Sequence, residues 1–374
     1  MPQRDYYIDR LRAVMTALVI LHHTAETYGA PGGWQWGELK PSQTPTSILF
    51  SLFAATDVAF LMGFFFLLAG YFTPASLEKK GYARFLVDRF VRLGIPLLAF
   101  GLVLAPLTFG IYGHGLGDGF WPPIQKIWQH REFISGPLWF AQALIVFSLA
   151  YCVWRAVFGA ALATAQRTIK PIPSSLWWLL SALSVAAAAL ALVKLSRSGV
   201  ESVAMQFAYR PIYVFMFALG IAAWRYDWLR QLSWAHARPW VWGLAITWPA
   251  LPLATFMMRA WGRSLHPAAH TSTILLAILQ ALWVPFISWG IISALLLVFR
   301  AKMNQPSAFW NWLNRRAYAV YIIHPPVLVS IAMLLHGWMV PALVKFAVVG
   351  PVACAATWLL SDPLVRLPGL RRVV

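Results

Sequence analysis

Charge is the scarcest commodity in this chain. Of its 374 residues only 11% are charged and 60% are hydrophobic, where a soluble globular chain carries about 25% charged residues. A core of this size cannot hide so much apolar surface, so an ordinary water-soluble domain is excluded and the remaining solvent is lipid. Acid is scarcer than base, with 12 Asp and Glu against 30 Lys and Arg and a net charge of +18. Cysteine is nearly absent. Cys152 and Cys354 stand far apart in apolar stretches, where they read as small packing residues and leave the redox compartment open. No internal repeat and no low-complexity linker is visible.

Apolar runs do occur, near 11–28, 46–72, 90–112, 137–158, 176–196, 205–225, 239–259, 272–299, 316–335 and 339–361. Each approaches the ~20 residues that cross ~30 Å of hydrocarbon as a helix. The expectation is an all-α polytopic integral membrane protein of about ten transmembrane helices. The first run has a signal-like apolar stretch, Ala13–Leu21, but no small-residue cleavage site follows, and His22, His23 and Glu26 continue the helix. It reads as retained. The basic residues fall between the runs, with no basic-aromatic nucleic-acid module, so nucleic acid is not an expected partner. With the N-terminus inside, 21 of the 30 Lys and Arg fall on the inner side. That bias predicts an even number of spans and both termini in the cytoplasm. Residues 30–45, rich in Gly, Pro and Trp, read as an outer loop. Gly113–Gly119 reads as another; it follows no strand and is not a phosphate-binding loop.

The informative residues are the polar ones that lipid should exclude. Asp9, Arg12, Thr16, His23 and Glu26 lie on the first run. From Arg12 to His23 is eleven residues, almost three turns, so both share one face and sit ~16 Å apart along the axis. Asp9 and Glu26 extend that stripe by three residues at each end. Such a stripe is costly against lipid, so it lines a cavity or pairs with other helices. A structural network, with Arg12 snorkelling and His23 bonded to a backbone carbonyl, satisfies the same pattern.

Elsewhere, Gly63, Ala69 and Gly70 give the second run a face for close helix approach. Arg84, Asp88, Arg89 and Arg92 cluster on one side of a helix entering the membrane. Guanidinium forks there would grip phosphates, though a positive-inside flank has the same composition. Near the end, Tyr318 and Tyr321 share a face, and Pro325 is expected to bend the helix or end its regular bonding just after His324. Asp362-Pro363 and basic residues close the last run.

Taken in order, these elements resemble the acyltransferase-3 family of membrane O-acyltransferases. Asp9-Arg10-Leu11-Arg12 followed by His23 is similar to its Asp-x-Leu-Arg…His signature. Phe65-Phe66-Leu67-Leu68-Ala69-Gly70-Tyr71 is similar to a Phe-Phe-x-Leu-Ser-Gly-Phe element, with Ala69 where many relatives have Ser. Arg89-Phe90-Val91-Arg92-Leu93-Gly94-Ile95-Pro96, Leu138-Trp139-Phe140 and Tyr318 through Pro325 resemble the remaining elements. The stretch Gly136–Phe140 and His324-Pro325-Pro326 are similar to the branch that includes periplasmic-glucan succinyltransferases.

The resemblance implies one acyltransferase-3-like domain over residues 1–374 with no appended soluble domain, in a bacterial inner membrane. It implies transfer of an acyl group, acetyl- or succinyl-like, from cytoplasmic acyl-CoA to a hydroxyl of a carbohydrate of the cell envelope. Acyl-CoA is then a co-substrate, with no bound cofactor and no metal, and membrane lipid and a glycan acceptor are the other partners. Arg12, Arg89 and Arg92 would dock the CoA phosphates. His23 would be the general base, since neutral imidazole with a reference pKa of ~6.5 suits activation of a sugar hydroxyl. Glu26, one turn on, would orient the ring or stabilise its cation, as a carboxylate does in hydrolase triads. Asp9, Trp139, Tyr318, Tyr321 and His324 are pocket candidates. A transporter or flippase for a lipid or sugar is the rival, since polar stripes also mark transport paths, but no inverted repeat or pair of broken helices is seen.

Overall fold

In hydrocarbon every backbone N–H and C=O must be satisfied within the segment or by a packed neighbour, which leaves helices as the economical answer for these apolar runs. The computed structural model describes residues 5–159, 168–195, 201–250, 253, 269–370 and 373, with backbone alone for 193–195, 201–209 and 269–277. Among the described residues the long elements are α1 (Tyr6–Thr27), α2 (Pro45–Lys80), α3 (Tyr82–Gly115), α4 (Trp121–Gln129), α5 (Trp139–Phe158), α6 (Ser175–Leu195), α7 (Glu201–Arg225), α8 (Trp234–Thr247), α9 (Ala269–Lys302), α10 (Ala308–Leu334) and α11 (Ala342–Arg366).

Seven of these, α2, α3, α5, α6, α9, α10 and α11, are long and apolar enough over their described residues to cross a membrane. The expected all-α membrane architecture holds at that level. α1 falls outside the count and carries Asp9, Arg10, Arg12 and Glu26 in 22 residues. α7 and α8 also fall outside it. The expected run 239–259 is described only to 250 and at 253, and the basic residues Arg4, Arg167, Arg371 and Arg372 lie outside the described residues.

The chain divides into two compact units. One comprises Met1–Asp57, Lys79–Ala156 and Met303–Val374; the other comprises Val58–Glu78 and Val157–Lys302. In the first, α1 packs on α10 and α11, around a core that holds Ile20, Tyr28, Phe50, Val320, Leu328, Val349, Ala353 and Trp358. In the second, α6 packs on α7 and α9, and α8 on α9. The small-residue face of α2 packs within that unit. A β-carbon on Gly70 would run into the backbone of Phe217, so only glycine permits this approach.

Prolines inside the helices of the first unit organise its polar contacts. A proline at position i removes the N–H that would bond the carbonyl at i−4. Pro96 frees the Arg92 carbonyl, which accepts from the Tyr318 hydroxyl at 2.6 Å. Pro106 frees the Leu102 carbonyl, which accepts from the Trp128 indole at 3.3 Å. Pro325 frees the Tyr321 carbonyl, which accepts from His324 Nδ1 at 2.8 Å. Side chains thus replace the missing backbone donors, and α10 continues through Pro325 and Pro326 to Leu334 with its regular bonding interrupted at Tyr321.

One end of this unit gathers its arginines. Arg10 donates to the Gln305 carbonyl and lies over the Trp310 ring. Arg316 Nε donates to Asp362 at 2.6 Å, and Arg366 pairs with the same carboxylate. Lys80 reaches Asp88 at 2.8 Å. At the other end, residues 28–44 form a loop tied back on α1, α2 and α11. The Glu38 N–H donates to the Thr27 carbonyl at 2.8 Å and the Ser47 hydroxyl to the Gly29 carbonyl at 2.6 Å. Buried Lys345 bonds the Glu38 carboxylate.

Candidate active site

The loop-facing end of α1 brings four titratable groups together. His23 Nδ1 donates to Glu26 Oε2 at 2.5 Å. A carboxylate only accepts, so this bond places the proton on Nδ1 and leaves Nε2 with its lone pair. Glu26 is itself held, packing against Gly32 and accepting from the Gly33 backbone N–H. His22 joins the group from the neighbouring face: its Nε2 lies 3.8 Å from Glu26 and its Nδ1 lies 3.6 Å from Asp57 of α2. The carboxylate of Glu26 therefore stands between two imidazoles.

Aromatic rings wall the His23 ring. Trp34, from the loop, stacks on it at 4.1 Å and 17° between planes, and His324 stacks at 5.5 Å and 10°. Tyr321 lies 6.0 Å from His324 and 6.4 Å from Phe140, the neighbour of Trp139. The Tyr321 hydroxyl donates to the Pro137 carbonyl. His324 is fully buried, and because its Nδ1 donates to a carbonyl, its Nε2 is an acceptor with no partner among the described residues.

His22, His23 and Glu26 offer three ligand atoms within 4.8 Å of one another. Two ligands of one tetrahedral zinc ion at ~2.1 Å would sit roughly 3.4 Å apart. The 2.5 Å between His23 Nδ1 and Glu26 is the separation of a hydrogen bond, and it is as a hydrogen-bonded pair that these two side chains stand here.

The arginine end is different. Arg92 is 58% exposed and paired with Asp88 at 3.1 Å. With Arg84, Val87, Val91 and Pro368 it lines an open cleft of about 820 Å³. Arg89 turns away from that cleft, over the Phe85 ring at 4.9 Å, with its Nε buried and unpartnered among the described residues. Regular helical spacing accounts for this: Arg84, Val87, Asp88, Val91 and Arg92 recur on one stripe, and at 100° per residue Arg89 lies about 140° round the helix from Arg84. Arg12 is half-buried one turn from Asp9, whose carboxylate attracts its guanidinium.

The structure thus joins His23, Glu26, Tyr321 and His324, with Trp139 one residue beyond Phe140. It ties Tyr318 to Arg92 at the other end and leaves Asp9 beside Arg12. Sequence reading missed His22, Trp34 and Asp57. Asp57 carries a usable signal, a buried carboxylate in an otherwise uncharged stretch of α2.

Comparison with known proteins follows from this geometry. A family model described as an acyltransferase domain, that of the acyltransferase-3 family, matches residues 5–362. Glucans biosynthesis protein C from Escherichia coli O1:K1 is 29% identical over 158 residues, 41% of this chain and 39% of that protein. The same protein from strains E24377A and HS aligns to the same extent. The alignment therefore spans about two fifths of the length of these relatives. No solved structure matches the chain.

Proposed function

The chain belongs to the acyltransferase-3 family, and from that premise we propose that it transfers an acyl group from acyl-CoA to a hydroxyl of a carbohydrate acceptor. The observation that carries this reading is the His23–Glu26 pair, an imidazole held with one nitrogen bonded to a buried carboxylate and the other available as a base. In the reaction, His23 Nε2 takes the hydroxyl proton as the acceptor oxygen attacks the thioester carbonyl. The tetrahedral intermediate collapses, the carbon–sulfur bond breaks, and the thiolate leaves as free CoA, taking up the proton that the imidazolium returns. Glu26 orients the ring and offsets its transient positive charge.

The donor docks at the arginine end. Arg89 carries a buried guanidinium nitrogen without an acceptor among the described residues, which suits the phosphates of CoA, Arg12 adds a second guanidinium, and Arg84 and Arg92 line a cleft. The protein works as one acyltransferase domain of about ten spans in a bacterial inner membrane, arginine end and both termini facing the cytoplasm. Cysteine labelling at Lys80 and at Gly117 should report opposite faces. Likeness to glucans biosynthesis protein C supports a glucan as acceptor.

The test compares His23→Gln and His22→Ala in a transfer assay on detergent-solubilised protein, with thermal unfolding on the same samples. Loss of a positioned base costs roughly 10²–10⁴-fold in rate. The His23 variant should lose that much while still binding acyl-CoA, and an active, well-folded His23→Gln protein would return the stripe to a structural role.

A further inference from the structure

The loop that covers His23 carries polar atoms that the fold buries and leaves unsatisfied. Trp34 Nε1 and both Nε2 and Oε1 of Gln35 are buried with no hydrogen-bond partner among the described residues. Adjacent residues thus hold an indole donor and an amide offering both donors and acceptors. Proteins rarely leave such groups unpaired, because desolvation without a partner is destabilising. Here the loop is tied down by the Ser47–Gly29 and Glu38–Lys345 bonds, so the unpaired atoms belong to a held segment.

Their position is specific. Trp34 covers one face of the His23 ring. Gln35 points at Gly136, where a β-carbon would lie 3.4 Å from its Nε2 and 2.7 Å from the Phe100 ring. Gly136 has φ +46°, so both backbone and space require glycine there. The next residue is Pro137, whose carbonyl takes the Tyr321 hydroxyl beside His324. Gln35 therefore borders the wall of rings around the base.

The charge pattern completes the argument. Glu26 is engaged by His23, His22 and the Gly33 N–H. Trp34, Gln35, Gly136, Tyr321 and His324 contribute no carboxylate, lysine or arginine. Neutral donors and acceptors beside an aromatic face match the hydroxyls and the apolar C–H face of a sugar ring, and they supply no opposite charge to an ionic group.

We propose that Trp34 and Gln35 form the acceptor subsite, binding a neutral polyhydroxyl compound so that one hydroxyl meets His23. The assignment rests on the acyl-transfer reading only for what happens to that hydroxyl; binding itself is independent of it. The test uses the full chain in detergent and measures equilibrium binding of maltohexaose, laminarihexaose and an oligogalacturonate, with acyl-CoA binding measured in parallel. Gln35→Ala removes the amide, and Trp34→Phe removes the indole N–H while keeping a ring against His23. Each should weaken binding of a neutral hexaose about 10-fold and shift the acyl-CoA dissociation constant less than about 2-fold. The charged oligomer should bind at least about 10-fold more weakly than a neutral one. Neutral-sugar binding that is absent in the parent protein, unchanged in both folded variants, or weaker than oligogalacturonate binding overturns the subsite. Sugar binding lost in Gln35→Ala, with no thiol release from acyl-CoA by the parent protein, keeps the subsite and overturns the transfer reading instead.

Discussion

At the histidine end of the first unit, nearly every titratable group has a protein partner: His23 with Glu26, His22 between Glu26 and Asp57, His324 Nδ1 with a carbonyl. At the arginine end, Arg92 is exposed beside Asp88, Arg89 holds a buried guanidinium nitrogen without a partner among the described residues, and Arg12 has Asp9 nearby. One end is organised before any substrate arrives. The other keeps cations in need of an anion. General-base chemistry needs the first arrangement, because a positioned imidazole avoids reorganisation during the reaction. Capture of a polyphosphate needs the second, because the ligand supplies the missing acceptors.

If this contrast is right, substitutions at the two ends should separate turnover from donor affinity. After loss of His23 itself, the largest effect is expected at Glu26. Glu26→Gln removes the negative charge and should lower the transfer rate about 10²-fold at saturating acyl-CoA; an unchanged rate would reduce the carboxylate to a packing role. Next come Arg12→Gln and Arg89→Gln, each expected to raise the acyl-CoA dissociation constant about 10-fold, since a charge-assisted bond is worth ~1.5–3 kcal/mol. Arg89→Lys should rescue only part, because an ammonium cannot fork. His22→Ala should slow turnover by a smaller factor, about 3–10-fold, by removing one of the two imidazoles on Glu26. The smallest effect is expected at Arg92, whose exposed pair with Asp88 already engages it. Arg92→Gln should change donor affinity by less than about 3-fold. An Arg92 effect larger than that of Arg89 would invert the proposed roles.

The same two ends differ in how legible they were. The Arg12–His23 stripe follows from the period of the helix, and Glu26 lies within it, so α1 could be read directly. The arginine cluster could be read from spacing too, since Arg84, Asp88 and Arg92 line one cleft, but which way the Arg89 side chain lies, over the Phe85 ring, is set by packing. Trp34 lies in the stretch 30–45, which read only as an outer loop. Its stack on His23 depends on a loop folded back by Glu38–Lys345, two residues 307 positions apart. Such pairings are set by tertiary packing, and no local pattern announces them. Pro325 was read for what it breaks. The structure shows what it frees, a carbonyl that fixes the orientation of the His324 ring.

The central claim is that this chain breaks a thioester and esterifies a hydroxyl. The most direct measurement is a single turnover of purified full-length protein with acyl-labelled acyl-CoA and a neutral hexaose, following free thiol and label together. The account predicts that thiol and alkali-labile label on the sugar appear in equal amounts and at the same rate. Acyl-CoA that binds and is recovered intact, with neither thiol nor labelled sugar formed, would contradict it.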